Sequence, residues 1–183
     1  MWIKERIKNM KIICISGKAQ HGKDTSAAKM KELLEAKGKK VLITHNADLL
    51  KFMAKNLFGW DGQKDDKGRQ ILQYIGTDVI RKQKPDYWID FIISVLELFP
   101  NDWDYVLIPD CRFPNEIDKY KTTQFSATHL RVVRSNFVSP LTEEQQKHAS
   151  EIALDNVTPD IVLANDGTLD ELYAKIAQLV ETM

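Results

Sequence analysis

Short apolar runs alternate with amphipathic stretches from residue 11 to the C-terminus. Lys11–Ser16 (KIICIS) is a continuous, β-branched run that stops at a glycine, the pattern of a strand buried on both faces. Asp24–Lys37 has helical composition and ends before Gly38, which suits a C-cap. Lys40–Thr44 reads as a second strand, Ala47–Phe58 as a helix, and Gly59–Gly68 as a polar loop. The spacing predicts helices over Arg69–Lys82 and, after a break at Pro85, over Asp86–Phe99. Tyr105–Ile108 is a third strand ending at Pro109-Asp110, Pro114–Tyr120 a short helix and Thr128–Val133 a fourth strand. Ser135–Leu154 is polar, with a helix starting at the capping box Thr142-x-x-Gln145. Ile161–Ala164 is the last strand, and Thr168-x-x-Glu171 caps a final amphipathic helix to Val180. Strand and helix in strict alternation predict an α/β fold of three layers: a five-stranded parallel sheet, helices on both faces, and a small lid at about 135–150. Ligands of such sheets bind beyond the carboxyl ends of the strands.

Length and charge narrow the picture. The 183 residues suit a single domain over 11–183, its helices at about 47–99 available to a second ligand. Residues 1–10 read as an N-terminal extension, of which 1–9 (MWIKERIKN) are expected to be dispensable; a short ordered arm is the alternative. Lys plus Arg balance Asp plus Glu at 26 each, so no global field holds the chain on nucleic acid or an anionic membrane. The expected partner is a small molecule. Cys14 and Cys111 cannot make a disulfide framework. The apolar stretch Trp88–Phe99, interrupted by Asp90 and Glu97, is too short to span a bilayer, and no signal peptide is evident, so a cytoplasmic location is expected. The stripe Phe91, Val95, Leu98 and Phe99 is expected in the core, as are Trp88 and Trp103.

The candidate chemistry lies just after the strands. Gly17-Lys18-Ala19-Gln20-His21-Gly22-Lys23-Asp24-Thr25 follows the first strand and opens a helix, the spacing of a phosphate-cradling loop. Its glycines let backbone N–H groups turn inward, the helix start adds positive potential, and Lys23 would neutralise charge on transferred phosphate. Asp24 stands where such loops usually carry Ser or Thr. A carboxylate there repels phosphate unless a cation lies between, which points to Mg²⁺, while Thr25 still offers a hydroxyl. A chance glycine-rich turn is the bland alternative.

Further along, Arg69, Gln73, Thr77 and Arg81 recur every fourth residue with Ile71, Ile75 and Val79 opposite, so one helical stripe offers two guanidinium forks to an anion. A solvated helix face fits the same spacing. Gly76 in that helix allows close approach of a ligand or another backbone. Asp110 after the third strand is placed to orient Mg²⁺ through water, with Arg112 near the transferred group; a salt-bridged Asp–Arg pair is the alternative. Asp48 and Lys51 follow the second strand, where Asp48 suits either an acceptor contact or an N-cap. Arg131 and Arg134 leave the fourth strand for the lid, where cations would close on a triphosphate. Asn165-Asp166-Gly167 suits either a backbone seat for adenine at Asn165 and Gly167 or a plain turn. His148 and Glu151, one turn apart, read as a surface pair rather than metal ligands. No nucleophilic triad is present, and none is needed if the acceptor is a phosphate monoester, whose second ionisation lies near pH ~6.

These residues resemble a known family, the deoxynucleoside monophosphate kinases of tailed bacteriophages. The matching pieces are Gly22–Thr25, the Leu-Gln-x-x-Gly-Thr-Asp-x-x-Arg block Leu72–Arg81, Asp110-x-Arg-Phe-Pro-Asn-Glu to Glu116, His148-x-Ser-Glu to Glu151, and Asn165–Thr168. The resemblance implies a P-loop kinase fold using ATP and Mg²⁺ to turn a deoxynucleoside monophosphate into the diphosphate. It places Gly17–Thr25 on ATP, the Arg69–Arg81 stripe on the monophosphate, and Asp110 and Arg112 at the reaction centre; the loop and lid residues read above add Lys23 and Arg134 there and put Asp24 with Asp110 on the metal. A homodimer is compatible with it. The second-strand exit, Asn46–Lys51, departs from the family pattern, which has an aromatic first and a proline after the acid. Animal phosphomevalonate kinase is similar too, through its Gly-Lys-Asp loop. From another class, an ATPase acting as a motor or regulatory module would share the phosphate loop alone.

Overall fold

The computed structural model describes residues 10–63 and 65–183, and the expected dispensable segment 1–9 lies outside them. The chain forms two compact units: one takes in the chain up to Thr44 and again from Pro100 to Met183, the other is His45–Phe99. Five strands, β1 (Lys11–Ser16), β2 (Val41–Ile43), β3 (Tyr105–Ile108), β4 (Ser126–Val133) and β5 (Ile161–Ala164), lie in the first unit. The helices in chain order are α1 (Lys23–Ala36), α2 (Asp48–Leu57), α3 (Asp66–Gln73), α4 (Tyr87–Leu98), α5 (Pro114–Thr122), α6 (Glu143–Gln146), α7 (Ala149–Ile152) and α8 (Leu169–Glu181).

The sheet runs β2-β3-β1-β4-β5 with every pair parallel, Lys11 standing opposite Tyr105 on one side and Ser126 on the other. Alternate residues of a strand face opposite layers, and both layers are filled. Ile13, Ile15, Leu107 and Val132 join one core with Met30 of α1 and Ile176 of α8. On the opposite face Ile12, Cys14, Val106 and Ile108 are wholly buried, and α5 supplies Ile117 and Tyr120 to the core. Each such aliphatic side chain withdrawn from water contributes about 1.5–3 kcal/mol. With β1 at the centre, the segment after Ser16 leaves the middle of the sheet's carboxyl edge, where a ligand loop belongs.

Several expectations are corrected in this unit. Met10, assigned to the extension, is buried and accepts a hydrogen bond from Ser126 N–H, so it belongs to the fold. Arg131 lies inside β4, and its Nη2 donates to the carbonyls of Leu154 (2.6 Å) and Val157 (2.7 Å); it braces a turn instead of serving a lid. Trp103 is only half-buried.

The helical unit has its own core of Leu50, Ala54, Trp60, Ile75 and Trp88. Helix α3 starts at Asp66, inside the predicted loop, because Asp65 caps it by accepting from Gly68 N–H at 2.7 Å. From Tyr74 to Arg81 the helix continues in π geometry. Gly76 admits no ligand or backbone: a Cβ there would lie 2.5 Å from Leu50 Cδ2, and its carbonyl accepts from Trp88 Nε1 at 3.2 Å. In α4 the buried side is Trp88, Ile89, Ile92, Ile93 and Leu96, while Phe91, Leu98 and Phe99, expected in the core, are exposed and Val95 half-buried. Asp90, Ser94 and Glu97 form one exposed polar stripe with Phe91 and Leu98 at its border, so the spacing of the apolar residues alone picked the wrong face.

Candidate active site

Between β1 and α1 the chain wraps through two left-handed glycines. Gly17 has φ 145°, and a Cβ on it would collide with the Val132 carbonyl oxygen. Gly22 has φ 98°, and its Cβ would lie 2.7 Å from Asn165 Nδ2. Lys23 opens α1 and folds back over the loop, its Nζ donating to the carbonyls of Gly17 (2.8 Å) and Lys18 (2.9 Å). It is only 7% exposed. Burial, reinforced by the charge of Arg112, pushes its pKa down to about 8, against the opposing pull of Glu151, Asp24 and Asp110. Asp24 and Thr25 are exposed on the first turn of α1. Arg112, Asp24 and Asp110, all expected at the reaction centre or its metal, therefore lie within electrostatic reach of Lys23.

Arg112 does not take the simple Asp–Arg reading. Its Nη1 donates to the Ser150 carbonyl at 3.2 Å and forms a close ion pair with Glu151, while its backbone N–H donates to Glu116 Oε2 at 2.6 Å. The Glu151 side chain is 9% exposed, and its Oε2 accepts from Ala19 N–H of the loop at 3.3 Å. The surface-pair reading of His148 and Glu151 is corrected: His148 caps α7 by accepting from Ser150 N–H, whereas Glu151 is an inward-facing site residue. Lys18 joins the same segment, donating to the Glu151 carbonyl at 2.6 Å and pairing with Asp155. Only the His-x-Ser-Glu block hinted at this acid.

On the other side of the loop, Arg134 follows β4. Its guanidinium lies 4.4 Å from the centre of the Phe137 ring, and its backbone N–H donates to His21 Nδ1 at 3.2 Å. An imidazole accepting there is neutral, in keeping with a His21 pKa lowered first by burial and then by the nearby cations Lys23, Arg134 and Lys18, against a hydrogen bond that the Val132 backbone accepts from the ring. Asn165 Nδ2 donates to the His21 carbonyl at 2.9 Å, so this side chain fixes the loop's shape. Asp166 accepts from Ser135 N–H at 2.5 Å, and Gly167 precedes the capping box of α8. Among the described residues no helix is long and apolar enough to cross a membrane.

The predicted stripe lies in the helical unit, where Arg69, Gln73, Thr77 and Arg81 are all half-buried while Gln70, Tyr74 and Asp78 are exposed. The π segment explains how they stay in line. Four residues of α-helix overshoot a turn by about 40°, whereas four of a π-helix at about 4.4 residues per turn fall short by about 33°, so the drifts offset. Arg81 Nη1 also touches the Pro85 carbonyl at 3.3 Å. Asp48 stands at the first position of α2; it accepts from His45 N–H at 2.9 Å and from Lys51 Nζ at 3.1 Å. Burial alone would raise its pKa, but those two donors hold it below the usual carboxylate value.

A family model described as deoxynucleotide monophosphate kinase matches residues 60–176. The chain is 33% identical over 114 residues to the deoxynucleotide monophosphate kinase of Escherichia phage RB69, covering 61% of this chain and 44% of that protein. It is 31% identical over 117 residues to the enzyme of the same name from Enterobacteria phage T4, covering 63% and 46%. The matched segment thus spans less than half the length of these two relatives. Among solved structures it is similar to a Mycobacterium tuberculosis APS kinase in complex with AMPPNP and APS, at TM-score 0.57 and 14% identity over 95% of this chain and 99% of that one. At that identity the likeness is one of fold, and the predicted five-stranded α/β architecture is the kinase fold.

Proposed function

The chain belongs to the deoxynucleotide monophosphate kinase family, and from that premise we propose that it moves the γ-phosphate of ATP to a deoxynucleoside 5′-monophosphate, yielding the diphosphate and ADP. The observation that carries this reading is Lys23, buried against the loop carbonyls with Arg112, Asp24 and Asp110 in electrostatic reach. Loop amides and the α1 N-terminus would seat the polyphosphate of ATP, and Lys23 would exchange its carbonyl partners for phosphate oxygens. Arg112 and Arg134 would offset the charge that builds during transfer. Asn165 and Gly167 would border the adenine end.

Mg²⁺ fits the donor set. It takes one or two carboxylates and completes its shell with phosphate oxygens and water, which Asp24 and Asp110 suit. Among the described residues there is no cluster of three or more His, Cys, Asp or Glu, so nothing competes as an all-protein cage. When bound, the ion would neutralise the phosphates that Asp24 would otherwise repel. The acceptor monophosphate is assigned to Arg69, Gln73, Thr77 and Arg81, with Asp48 and Lys51 on α2 of the same helical unit; two guanidinium forks can hold a dianionic phosphate. That dianion is already nucleophilic at neutral pH, so alignment and charge stabilisation suffice. The test is ADP release measured over the four deoxynucleoside monophosphates and phosphomevalonate. The reading expects little ADP without acceptor and rapid release with at least one deoxynucleotide. Hydrolysis independent of acceptor would point to the ATPase class, and release driven by phosphomevalonate alone to the other kinase.

A further inference from the structure

We infer that Glu151 is a positioning residue that sets the orientation of Arg112 for phosphoryl transfer, an assignment that rests on the reading of the site just given. The geometry is specific. Arg112 is held through a single nitrogen: Nη1 meets both the Glu151 carboxylate and the Ser150 carbonyl. No described residue takes up Nε–H or the Nη2 protons, and those two nitrogens form the edge with which a guanidinium grips two oxygens of one phosphate. The other Glu151 oxygen accepts from Ala19 N–H, within the phosphate loop itself. One carboxylate, 9% exposed, therefore ties the loop to the guanidinium through its two oxygens.

The bond set explains why an acid sits beside a site built for anions. A carboxylate here would repel phosphate if it faced the ligand unshielded; engaged at both oxygens, it is spent on Arg112 and an amide. Holding a long, rotamer-rich side chain before the ligand arrives removes an ordering cost at the moment of transfer. Lys18, the loop residue next to Ala19, donates to the Glu151 carbonyl and pairs with Asp155, clamping the same short segment. Glu151 touches neither substrate nor reacting atoms in this scheme; it acts through Arg112.

The test combines Glu151→Gln, Glu151→Asp and Arg112→Ala in the full chain. In ¹⁵N-labelled wild type, Nη1 and Nη2 of Arg112 (assigned by loss in Arg112→Ala) should give separate, slowly exchanging signals that merge in Glu151→Gln. In initial-rate assays Glu151→Gln should lower kcat about 10- to 100-fold while either KM moves less than about threefold, the pattern of an interaction made in the transition state. Glu151→Asp should recover part of the loss, and adding Glu151→Gln to Arg112→Ala should cost nothing further. Separate signals persisting in Glu151→Gln, a rise in KM at constant kcat, or losses that multiply with Arg112→Ala would overturn the inference. If the wild type makes no diphosphate from any deoxynucleotide, the functional reading fails, while the NMR arm still upholds or overturns the restraint on Arg112.

Discussion

Replacing Lys23 by methionine keeps the length of the side chain and removes its charge, and the structure predicts how that changes stability with pH. Lys23 carries a pKa of about 8 against an ordinary 10.5, chiefly because burial disfavours the ammonium. That difference is worth about 3 kcal/mol. Below pH 8 folded and unfolded chains both hold the proton, and the full cost of burying it is present. As pH climbs from 8 towards 10.5 the folded state gives up its proton first, and the cost fades. Methionine removes this cost but leaves the Gly17 and Lys18 carbonyls without their donor, at about 1 kcal/mol each. Lys23→Met should therefore be as stable as the wild type, or up to about 1 kcal/mol more stable, at pH 7, and about 2 kcal/mol less stable at pH 10, with phosphoryl transfer abolished throughout. Urea unfolding of both proteins at the two pH values, with intrinsic fluorescence and circular dichroism as paired probes, reads the difference. A gap between the proteins that does not change with pH would refute the burial argument, and near-normal turnover in Lys23→Met would refute the site.

Three further outcomes follow from the same geometry. Triphosphate bound beside Lys23 should restore its proton, so ATP titrated calorimetrically at pH 8 in buffers of different ionisation enthalpy should show uptake of about half a proton that is missing in Lys23→Met. Arg81→Ala should raise KM for the monophosphate about tenfold or more with little change for ATP, since a charge-assisted bond contributes about 1.5–3 kcal/mol; equal effects on both substrates would remove Arg81 from acceptor binding. Gly76→Ala forces a methyl against Leu50 and should destabilise the protein by about 1–3 kcal/mol by denaturant titration, whereas an unchanged midpoint would contradict the packing.

Much of the framework was legible because it is written in local patterns. Lys11–Ser16, Tyr105–Ile108 and Ile161–Ala164 are continuous apolar runs bounded by turn residues, and all three form strands with the predicted limits. The capping boxes at Thr142 and Thr168 are both present. The phosphate loop could be read because its glycines answer a backbone need, φ values of 145° and 98°, that few other residues meet. What escaped was decided at long range. Glu151 reaches Arg112 from 39 residues away and Ala19 from 132, and no period in the sequence signals either contact. Asn165 looked like a turn residue or a seat for a base, yet its amide holds the His21 carbonyl across 144 residues. In α4 the contrast lies in the polar residues: Asp90, Ser94 and Glu97 recur at helical spacing and mark the exposed side, whereas the apolar stripe Phe91, Val95 and Leu98 borders that side instead of facing the core. The π segment was hidden as well, because it depends on hydrogen-bond offset and not on composition.

The central claim is that ATP's terminal group is handed to a second phosphate rather than to water. ³¹P NMR of a mixture of ATP, Mg²⁺ and a deoxynucleoside monophosphate follows each phosphorus directly. The account predicts new diphosphate signals from ADP and the deoxynucleotide growing in equal amounts, with no inorganic phosphate and no change in Lys23→Met. Inorganic phosphate accumulating in step with ADP, while the monophosphate resonance stays constant, would contradict it.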